Sequence, residues 1–396
     1  MNNKSIIENS EKYLFHLYNR FNVAFVRGKG VYLYDAEGKE YLDFSSGIGV
    51  NAIGYGDEEF NDYIKNQIDK LYHVSNLFYT DTLPLGTEKI IEISKLSKVF
   101  FTNSGAEAIE GALKTAKKFG KLINTKKNKI IAMNHSFHGR TVGALSVTGT
   151  EHYREPFYPL MDKVIFANFN DIDSVKKVID ENVCAIILET IQGEGGIFPA
   201  NKSFIKEIRE LCDKYNALLI IDEIQCGMGR TGSMYAYFQY DIMPDILTTA
   251  KALGLGLPVG AFVVNDKVAN ASMVPGDHGT TYGGNPLVSA AVYKSIDIIQ
   301  SRNLTLNVKK LEEYFDEVLD YFIDKYDFVK EKRGIGFMKG LVVDTSLRAI
   351  LEKALDNGLV ILSAGQNVLR FLPPLIIEKK HIDEFKEKLD KVFQII

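Results

Sequence analysis

One lysine, Lys251, stands alone where an apolar run meets a glycine-rich loop, within residues 245–260. No carboxylate lies next to it in the sequence. An amine in dehydrated surroundings gives up its proton more easily, and the free amine can then form a Schiff base with an aldehyde. Most lysines are solvated surface charges. The pattern therefore predicts a reactive lysine only if other segments support the same chemistry.

Asp222 is a carboxylate at the end of the apolar run 218–221, and Glu223 and Gln225 follow it closely. A buried aspartate that keeps a pyridine nitrogen protonated turns the ring into an electron sink. The alternatives are a metal ligand and a helix cap. A magnesium role would need a phosphate-transfer motif, and the sequence contains no G-x-x-x-x-G-K-[ST].

Small residues occupy the junction between a strand and a helix at Ser104, Gly105 and Ala106. Ser104 and Glu107 have the spacing of a capping box. Small side chains let an anion approach the free N–H groups of a helix start, where the helix dipole favours phosphate. The segment thus predicts a phosphate site, with an ordinary well-capped helix as the alternative.

The loop at residues 134–141 offers an aromatic ring, Phe137, and a cation, Arg140, directly after a strand. Such a loop could stack on a flat cofactor and bind a carboxylate, because the planar guanidinium forms two parallel hydrogen bonds. His135 and His138 do not predict a metal site, since no third ligand follows at a recognisable spacing.

Two further charged residues lie in unusual surroundings. Glu194 is flanked by glycines in residues 192–196, and Arg370 lies within the apolar segment 369–374. A partly buried arginine needs an anion. We expect Glu194 to be that anion when no diacid is bound; each residue could instead belong to an unrelated structural ion pair.

Size and composition limit the classes of function. The chain has 396 residues, 46% of them hydrophobic and 25% charged, with a net charge of -4. This balance fits a folded enzyme of small molecules and disfavours a nucleic-acid binder with a basic surface. Cys184, Cys212 and Cys226 suggest no disulfide framework and no zinc knuckle, so a reducing cytoplasm is expected. No apolar run approaches the length of a membrane span.

Apolar runs between helix-like stretches predict a mainly parallel sheet covered on both faces, an α/β fold in which ligands bind at the carboxyl ends of the strands. The seven predicted strands are 98–103, 129–134, 163–169, 184–190, 218–222, 246–250 and 259–264. Residues 106–119 and 203–215 have helical spacing.

The last third of the chain has a different pattern and predicts a smaller α+β unit. Its predicted helices are 287–299 and 307–326, and its predicted strands are 340–343, 359–363 and 369–371. The segment 31–44 reads as a hairpin that joins this unit. The expected division is an N-terminal segment 1–50, a large domain 51–286 and a small domain 287–396.

Six motifs follow one another in an order that resembles the class III pyridoxal-phosphate-dependent aminotransferases. They are 104–106, 135–140, 192–196, 222–225, 251–254 and 279–285. Within that family the chain is most similar to members that act on acetylornithine, through residues 44–51, 73–80 and 369–374. The resemblance covers nearly the whole chain and implies the fold-type-I architecture of a large and a small domain.

The resemblance implies that pyridoxal 5'-phosphate is the cofactor and assigns residues to it. Lys251 would hold the cofactor aldehyde and move a proton between substrate and cofactor. Asp222 would pair with the pyridine nitrogen, Gln225 would lie near the ring hydroxyl, and Phe137 would stack on the ring.

The phosphate of the cofactor would lie at the helix start. The resemblance implies that the turn at Ser104 forms this site, with the backbone of Gly105 and Ala106 binding the phosphate. Thr281 would reach the phosphate from the partner subunit, which implies a homodimer with shared active sites.

The resemblance also implies the reaction, transfer of the distal amine of N2-acetyl-L-ornithine to 2-oxoglutarate in arginine biosynthesis. Arg140, helped by Thr280, would hold the carboxylate of the amine donor. Arg370 would bind the α-carboxylate of glutamate or 2-oxoglutarate, and Glu194 would neutralise Arg370 in the other half-reaction.

Several alternatives stay open at this level. Ornithine, succinylornithine, 4-aminobutyrate or a lysine derivative would use the same residues, and a mutase or racemase could share the fold. A nicotinamide-dependent protein would need a glycine-rich fingerprint that the turn at Ser104 lacks. The chain departs from the family at Gly54–Asp57, where a Gly-His-x-His-Pro segment is common, so a role for those histidines does not carry over.

Overall fold

The chain forms seventeen strands and fourteen helices in a computed structural model that describes all 396 residues. The strands are β1 Phe25–Lys29, β2 Tyr32–Asp35, β3 Glu40–Asp43, β4 Lys98–Thr102, β5 Lys129–Met133, β6 Val164–Ala167, β7 Val183–Glu189, β8 Ile191–Gln192, β9 Phe198–Pro199, β10 Leu218–Asp222, β11 Ile246–Thr249, β12 Gly260–Val264, β13 Val329–Ile335, β14 Met338–Val343, β15 Leu359–Val360, β16 Leu362–Ala364 and β17 Val368–Phe371.

The helices lie between and around these strands. They are α1 Asn3–Tyr13, α2 Ser46–Gly49, α3 Glu58–Lys70, α4 Thr82–Ser94, α5 Gly105–Ile123, α6 Val142–Ser146, α7 Glu151–Arg154, α8 Ile172–Lys176, α9 Lys202–Tyr215, α10 Asp266–Ala271, α11 Pro286–Ser301, α12 Leu304–Lys325, α13 Leu347–Asp356 and α14 Lys379–Phe393. No helix combines the length and the apolar character that crossing a membrane requires.

Seven strands form the large sheet, in the order β4-β12-β11-β10-β7-β5-β6. Strand β12 runs antiparallel to its neighbours β11 and β4, and the other pairs are parallel. All seven predicted strands are present, and the prediction of a mainly parallel sheet is confirmed. The carboxyl ends of the six parallel strands therefore meet at one edge, together with the start of β12.

Both faces of the large sheet are buried, which explains why its strands are almost continuously apolar. In β10, Leu218 and Ile220 pack in one apolar cluster with the α5 residue Ile109. Leu219 and Ile221 pack on the opposite face in a second cluster that includes the α9 residues, among them Ile205. Because helices cover both faces, only the edge formed by the strand ends is open to a ligand.

A four-stranded antiparallel sheet, β13-β14-β17-β16, forms the second unit with α12 and α14. Its core is aromatic: Phe371 of β17 packs edge-on against Phe385 of α14 at 5.0 Å between ring centroids. The single predicted strand 359–363 is instead two strands, because β15 leaves this sheet and pairs with β3. The predicted hairpin is formed by β2 and β3. The pairing of β15 with β3 therefore links the N-terminal segment to the last third of the chain.

Candidate active site

A cavity of about 450 Å³ opens at the edge of the large sheet where the parallel strands end. The loops that follow β4, β5, β7, β10 and β11 supply its lining. Nine of the predicted site residues line it: Ser104, Gly105, Ala106, Phe137, Arg140, Glu194, Asp222, Gln225 and Lys251. Segments far apart in the sequence thus converge because their strands are neighbours in the sheet. No group of three or more His, Cys, Asp or Glu side chains is arranged to hold a metal ion.

Lys251 begins a single turn of 3-10 helix directly after β11. Its backbone is in the left-handed region, with φ at 48°, a conformation that costs free energy for a residue with a side chain. Burial lowers the pKa of its amine to about 8, although the charge of Glu194 acts in the opposite direction. The amine therefore loses its proton much closer to neutral pH than a solvated lysine does.

Asp222 is held in a fixed orientation by three donors. Nδ1 of His138 donates to its Oδ2 at 2.7 Å, and Oδ1 accepts from the N–H of Ile224 at 3.0 Å and from the hydroxyl of Thr248 at 3.3 Å. Burial opposes protonation of His138, but the hydrogen bond and the charge of Asp222 raise the pKa of His138 above its usual value. The charge of Glu189 acts in the same direction.

The start of α5 leaves two N–H groups free toward the cavity. The hydroxyl of Ser104 accepts from the N–H of Glu107 at 3.2 Å, as predicted for a helix cap. The other half of the predicted capping box is wrong, because the Glu107 carboxylate accepts from the backbone N–H of Asn103 at 2.9 Å and not from Ser104. The N–H groups of Gly105 and Ala106 have no partner.

Phe137 and Arg140 lie in the loop after β5, and both contact the ring of Tyr153. Phe137 lies edge-on to Tyr153 at 6.1 Å between ring centroids. The guanidinium of Arg140 stacks on Tyr153 at 3.8 Å and makes no ion pair in this chain. Arg140 is exposed at the cavity, so its donors are free for an anion.

Glu194 and Arg370 form an ion pair behind the cavity, as we expected from their surroundings. The side chain of Arg370 is only 4% exposed. Gln225 lies between the two, with its amide N–H donating to Glu194 at 3.4 Å and its carbonyl accepting from Arg370 at 3.4 Å. Burial alone would raise the pKa of Glu194, but the Arg370 charge holds it below its usual value.

The Aminotransferase class-III family matches residues 15–393 of the chain. The chain belongs to this family. A relative from Methanocaldococcus jannaschii named acetylornithine aminotransferase is 44% identical, with 99% of each chain covered. A relative from Buchnera aphidicola named acetylornithine/succinyldiaminopimelate aminotransferase is 44% identical, with 92% of each chain covered.

Solved structures of aminotransferases share the fold of this class-III aminotransferase. The ornithine aminotransferase from Toxoplasma gondii ME49 has a TM-score of 0.96 at 29% identity, covering 100% of this chain and 96% of that chain. The acetylornithine aminotransferase from Elizabethkingia anophelis has a TM-score of 0.90 at 31% identity, covering 100% of both chains. The predicted family and fold class are confirmed.

Three predicted residues of the class-III aminotransferase do not line the cavity of a single chain: Arg370, which lies behind Glu194, and Thr280 and Thr281. The hydroxyl of Thr280 accepts from the side-chain amide of Asn103 at 3.0 Å, next to the α5 start. Thr281 is exposed, as is its neighbour Tyr282. Their roles across a subunit interface stay predictions.

His138, Glu189 and Ile224 are among the cavity residues that the sequence analysis did not predict to face a ligand. Glu189 ends a strand whose seven residues are all buried, and a carboxylate in that position was the signal available. It accepts backbone N–H groups from Phe137 at 3.1 Å and Gly193 at 3.2 Å. Burial raises the pKa of Glu189 to about 8, while the charge of His138 opposes this shift.

The segment that departs from the family, Gly54–Asp57, has structural contacts here. The hydroxyl of Tyr55 donates to the buried carboxylate of Asp43 at 2.6 Å. Asp57 caps α3 through the N–H of Phe60 at 3.0 Å. Neither residue lines the cavity.

Proposed function

We propose that this chain is a pyridoxal-phosphate-dependent acetylornithine aminotransferase, which moves the distal amine of N2-acetyl-L-ornithine to 2-oxoglutarate. The observation that carries the proposal is the presence of Lys251 and Asp222 in one cavity at the strand ends. The names of relatives at about 44% identity over nearly the full chain support the choice of substrate. The products are N-acetylglutamate 5-semialdehyde and glutamate, a step of arginine biosynthesis.

The residues of the cavity fit the cofactor. The unpartnered N–H groups of Gly105 and Ala106, at the start of a 19-residue helix, suit a phosphate. The pyridine ring of pyridoxal phosphate would lie against Phe137, and Gln225 would lie near the hydroxyl of that ring. When bound, this cofactor accepts the substrate amino group and takes up the electron pair released at the substrate carbon.

Lys251 and Asp222 would act on different protons of the reaction. The dehydrated amine of Lys251 can hold the cofactor aldehyde and take or return a proton at the substrate carbon. Asp222 accepts a hydrogen bond from His138 and would pair with the ring nitrogen of the cofactor. Hydrogen bonds from His138, Ile224 and Thr248 fix the Asp222 carboxylate before substrate arrives, so this group needs little reorganisation during the reaction.

Substrate selection would depend on two arginines with different surroundings. Arg140 has free donors and can bind the carboxylate of acetylornithine, with Thr280 assisting. Arg370 is neutralised by Glu194, so it does not compete for that carboxylate. When glutamate or 2-oxoglutarate binds, Glu194 would move away and Arg370 would take the α-carboxylate.

A homodimer would complete the site. Exposed apolar side chains are concentrated near the proposed partner contact, including Leu77, Phe78 and Tyr79 at 87%, 65% and 101% exposure and Tyr282 at 60%. Such a patch on one chain is typical of a protein interface. Thr281 lies beside it and would reach the phosphate of the other subunit.

The domain division and the compartment complete the proposal. We retain 1–50, 51–286 and 287–396 as the N-terminal segment, large domain and small domain, with the pairing of β3 and β15 as support for the N-terminal assignment. We place the enzyme in the cytoplasm, because all three cysteines are free.

Substrate preference tests the proposal directly. Purified enzyme is given pyridoxal 5'-phosphate, 2-oxoglutarate and one donor at a time: acetylornithine, ornithine, succinylornithine, succinyldiaminopimelate or 4-aminobutyrate. Glutamate formation gives kcat/KM for each. We expect the highest value for acetylornithine; a higher value for ornithine or another donor would reassign the substrate, and no glutamate from any donor would favour a mutase.

A further inference from the structure

Glu189 occupies a central position in the cavity that the reaction outlined above does not use. It ends β7 and is the register partner of Asp222 in the neighbouring parallel strand β10. The residue is only 6% exposed, yet its side chain lines the cavity. Two carboxylates therefore lie side by side at the ends of adjacent strands, about 5 Å apart at the backbone.

The Glu189 carboxylate joins two loops that come from different parts of the chain. Oε2 accepts the N–H of Phe137, in the loop after β5. Oε1 accepts the N–H of Gly193, which precedes Glu194 in the turn after β8. One side chain thus ties the aromatic side of the cavity to the loop that carries the Glu194 carboxylate.

The charged groups around Glu189 come from two other elements. His138 lies in the loop after β5 and Asp222 ends β10, and both act on Glu189 through their charge. His138 donates to Asp222, and Glu189 lies beside this buried pair without a hydrogen bond to either side chain. A neutral substitution of Glu189 changes the hydrogen bonds to the two loops, and above about pH 8 it also removes a charge near Asp222.

We propose that Glu189 is a positioning residue of the cofactor site, which holds Phe137 and the Glu194 loop in the arrangement that binds the cofactor. The inference rests on the proposed use of pyridoxal 5'-phosphate. Loss of either backbone hydrogen bond would let one side of the cavity move away from the other. Cofactor affinity should then fall without a change in the residues that contact the cofactor.

Glu223 provides an internal control with the same local chemistry. Its carboxylate is fully buried and accepts two backbone N–H groups, from Ala236 at 2.9 Å and Tyr237 at 2.8 Å. Burial raises the pKa of Glu223 to about 8, as it does for Glu189. Glu223 does not line the cavity, so Glu223→Gln weakens a comparable pair of hydrogen bonds elsewhere.

Hydrogen exchange of the cofactor-free protein tests the loop contacts without any chemistry. In Glu189→Gln, an NH2 group replaces one carboxylate oxygen and cannot accept a hydrogen bond. One of the two backbone N–H groups therefore loses its acceptor, and the peptide that contains Phe137 or the peptide that contains Gly193 should exchange about tenfold faster. In Glu223→Gln, faster exchange should be confined to the peptide that contains Ala236 and Tyr237. Unchanged exchange at both Phe137 and Gly193 in Glu189→Gln would overturn the proposal.

Titration with pyridoxal 5'-phosphate, followed by absorbance, then separates a positioning role from a purely structural one. We expect the Kd of Glu189→Gln to rise about tenfold and that of Glu223→Gln to stay within about twofold of the native value. Equal affinity in Glu189→Gln and the native protein, or equal losses in both variants, would overturn the proposal. If Glu189→Gln does not fold, Glu189→Asp replaces it, since the shorter side chain cannot reach both loops and should weaken binding similarly.

The two measurements keep the present inference distinct from the proposed function. If native protein fails to bind pyridoxal 5'-phosphate, the proposed function fails. If native protein binds it and Glu189→Gln binds it equally well, only the role of Glu189 fails.

Discussion

Nδ1 of His138 lies 2.7 Å from Oδ2 of Asp222, and the two side chains are almost completely buried. Because the pKa of His138 is raised on folding, its contribution to stability is full below the unfolded value and is lost as the pH rises through the folded value. We expect His138→Phe to lower the free energy of unfolding by about 1–3 kcal/mol near pH 6, and by less near pH 9. Urea unfolding at the two pH values measures this difference.

His16 offers a control for the same chemistry at the surface, since its Nδ1 lies 2.9 Å from the Glu11 carboxylate with 68% of the His16 side chain exposed. Exposed pairs contribute little, so His16→Phe should leave the free energy of unfolding nearly unchanged at both pH values. A loss in His138→Phe that is independent of pH would show that His138 acts by packing alone.

Arg140 has free donors, and its planar group should bind a substrate carboxylate through two hydrogen bonds. Arg140→Lys keeps the charge but loses this geometry, so we expect kcat/KM for acetylornithine to fall at least about tenfold. Arg27, which is exposed and stacks on Tyr34 at 3.7 Å away from the cavity, is the matched control. Arg27→Lys should leave kcat/KM unchanged, and equal effects of the two substitutions would contradict the role of Arg140.

Glu194 neutralises Arg370, and this pairing should disfavour donors whose reacting amine is on the α-carbon, next to the carboxylate. We expect Glu194→Ala to raise the ratio of kcat/KM for glutamate to kcat/KM for acetylornithine by about tenfold, because a buried unpaired arginine attracts an anion. Steady-state kinetics with each donor give the ratio. Glu331→Ala, which breaks the surface pair with Arg333, is the control, and an unchanged ratio in Glu194→Ala would refute the switch.

The large sheet could be predicted from the sequence because its strands are buried on both faces and read as short apolar runs. Strand β13 could not, since its residues Val329–Ile335 are largely charged and it lies at the edge of the smaller sheet. The run 359–363 looks like one strand locally. Its division between two sheets depends on the distant partner β3, which local periodicity does not report.

Some site residues could be predicted because their neighbours in the sequence are unusual for a residue of that type. Lys251, Asp222 and the Glu194–Arg370 pair each stood out as a charge in apolar or glycine-rich surroundings. Glu189 and His138 did not, because their importance comes from contacts between loops that lie about 50 or more residues apart, as in the 52-residue separation of Phe137 and Glu189. Half of the capping box failed for a local reason, since Glu107 accepts from both the backbone N–H of Asn103 at 2.9 Å and the Asn103 side-chain amide at 2.8 Å.

The hydroxyl of Tyr55 donates to the fully buried Asp43 carboxylate at 2.6 Å. Tyr55→Phe removes a partner from a buried acid, so we expect a loss of about 1–3 kcal/mol in the free energy of unfolding with kcat/KM unchanged. Tyr34→Phe is the control, because its bond to Glu40 is exposed. A fall in kcat/KM for acetylornithine in folded Tyr55→Phe would mean that this segment contributes to the substrate site.

Lys251 should differ from other lysines of the chain in both acidity and reactivity. Its burial lowers its pKa to about 8, whereas a solvated lysine titrates near about 10.4. Trace acetylation of the cofactor-free protein, followed peptide by peptide, should therefore show Lys251 labelling with a midpoint about two pH units below that of surface lysines. Deprotonation increases with pH, so the difference in deprotonated fraction between Lys251 and a surface lysine should be largest near about pH 9 and disappear well above about pH 11.

The same lysine should be the attachment point of the cofactor. After incubation with pyridoxal 5'-phosphate and reduction with borohydride, mass spectrometry should find the added mass on the peptide that contains Lys251. In Lys251→Ala that peptide should be unmodified and transamination should be abolished, while Lys4→Ala, at a side chain that is 81% exposed, should change neither result. Modification at a different lysine in the native protein would remove the basis for assigning the chemistry to this cavity.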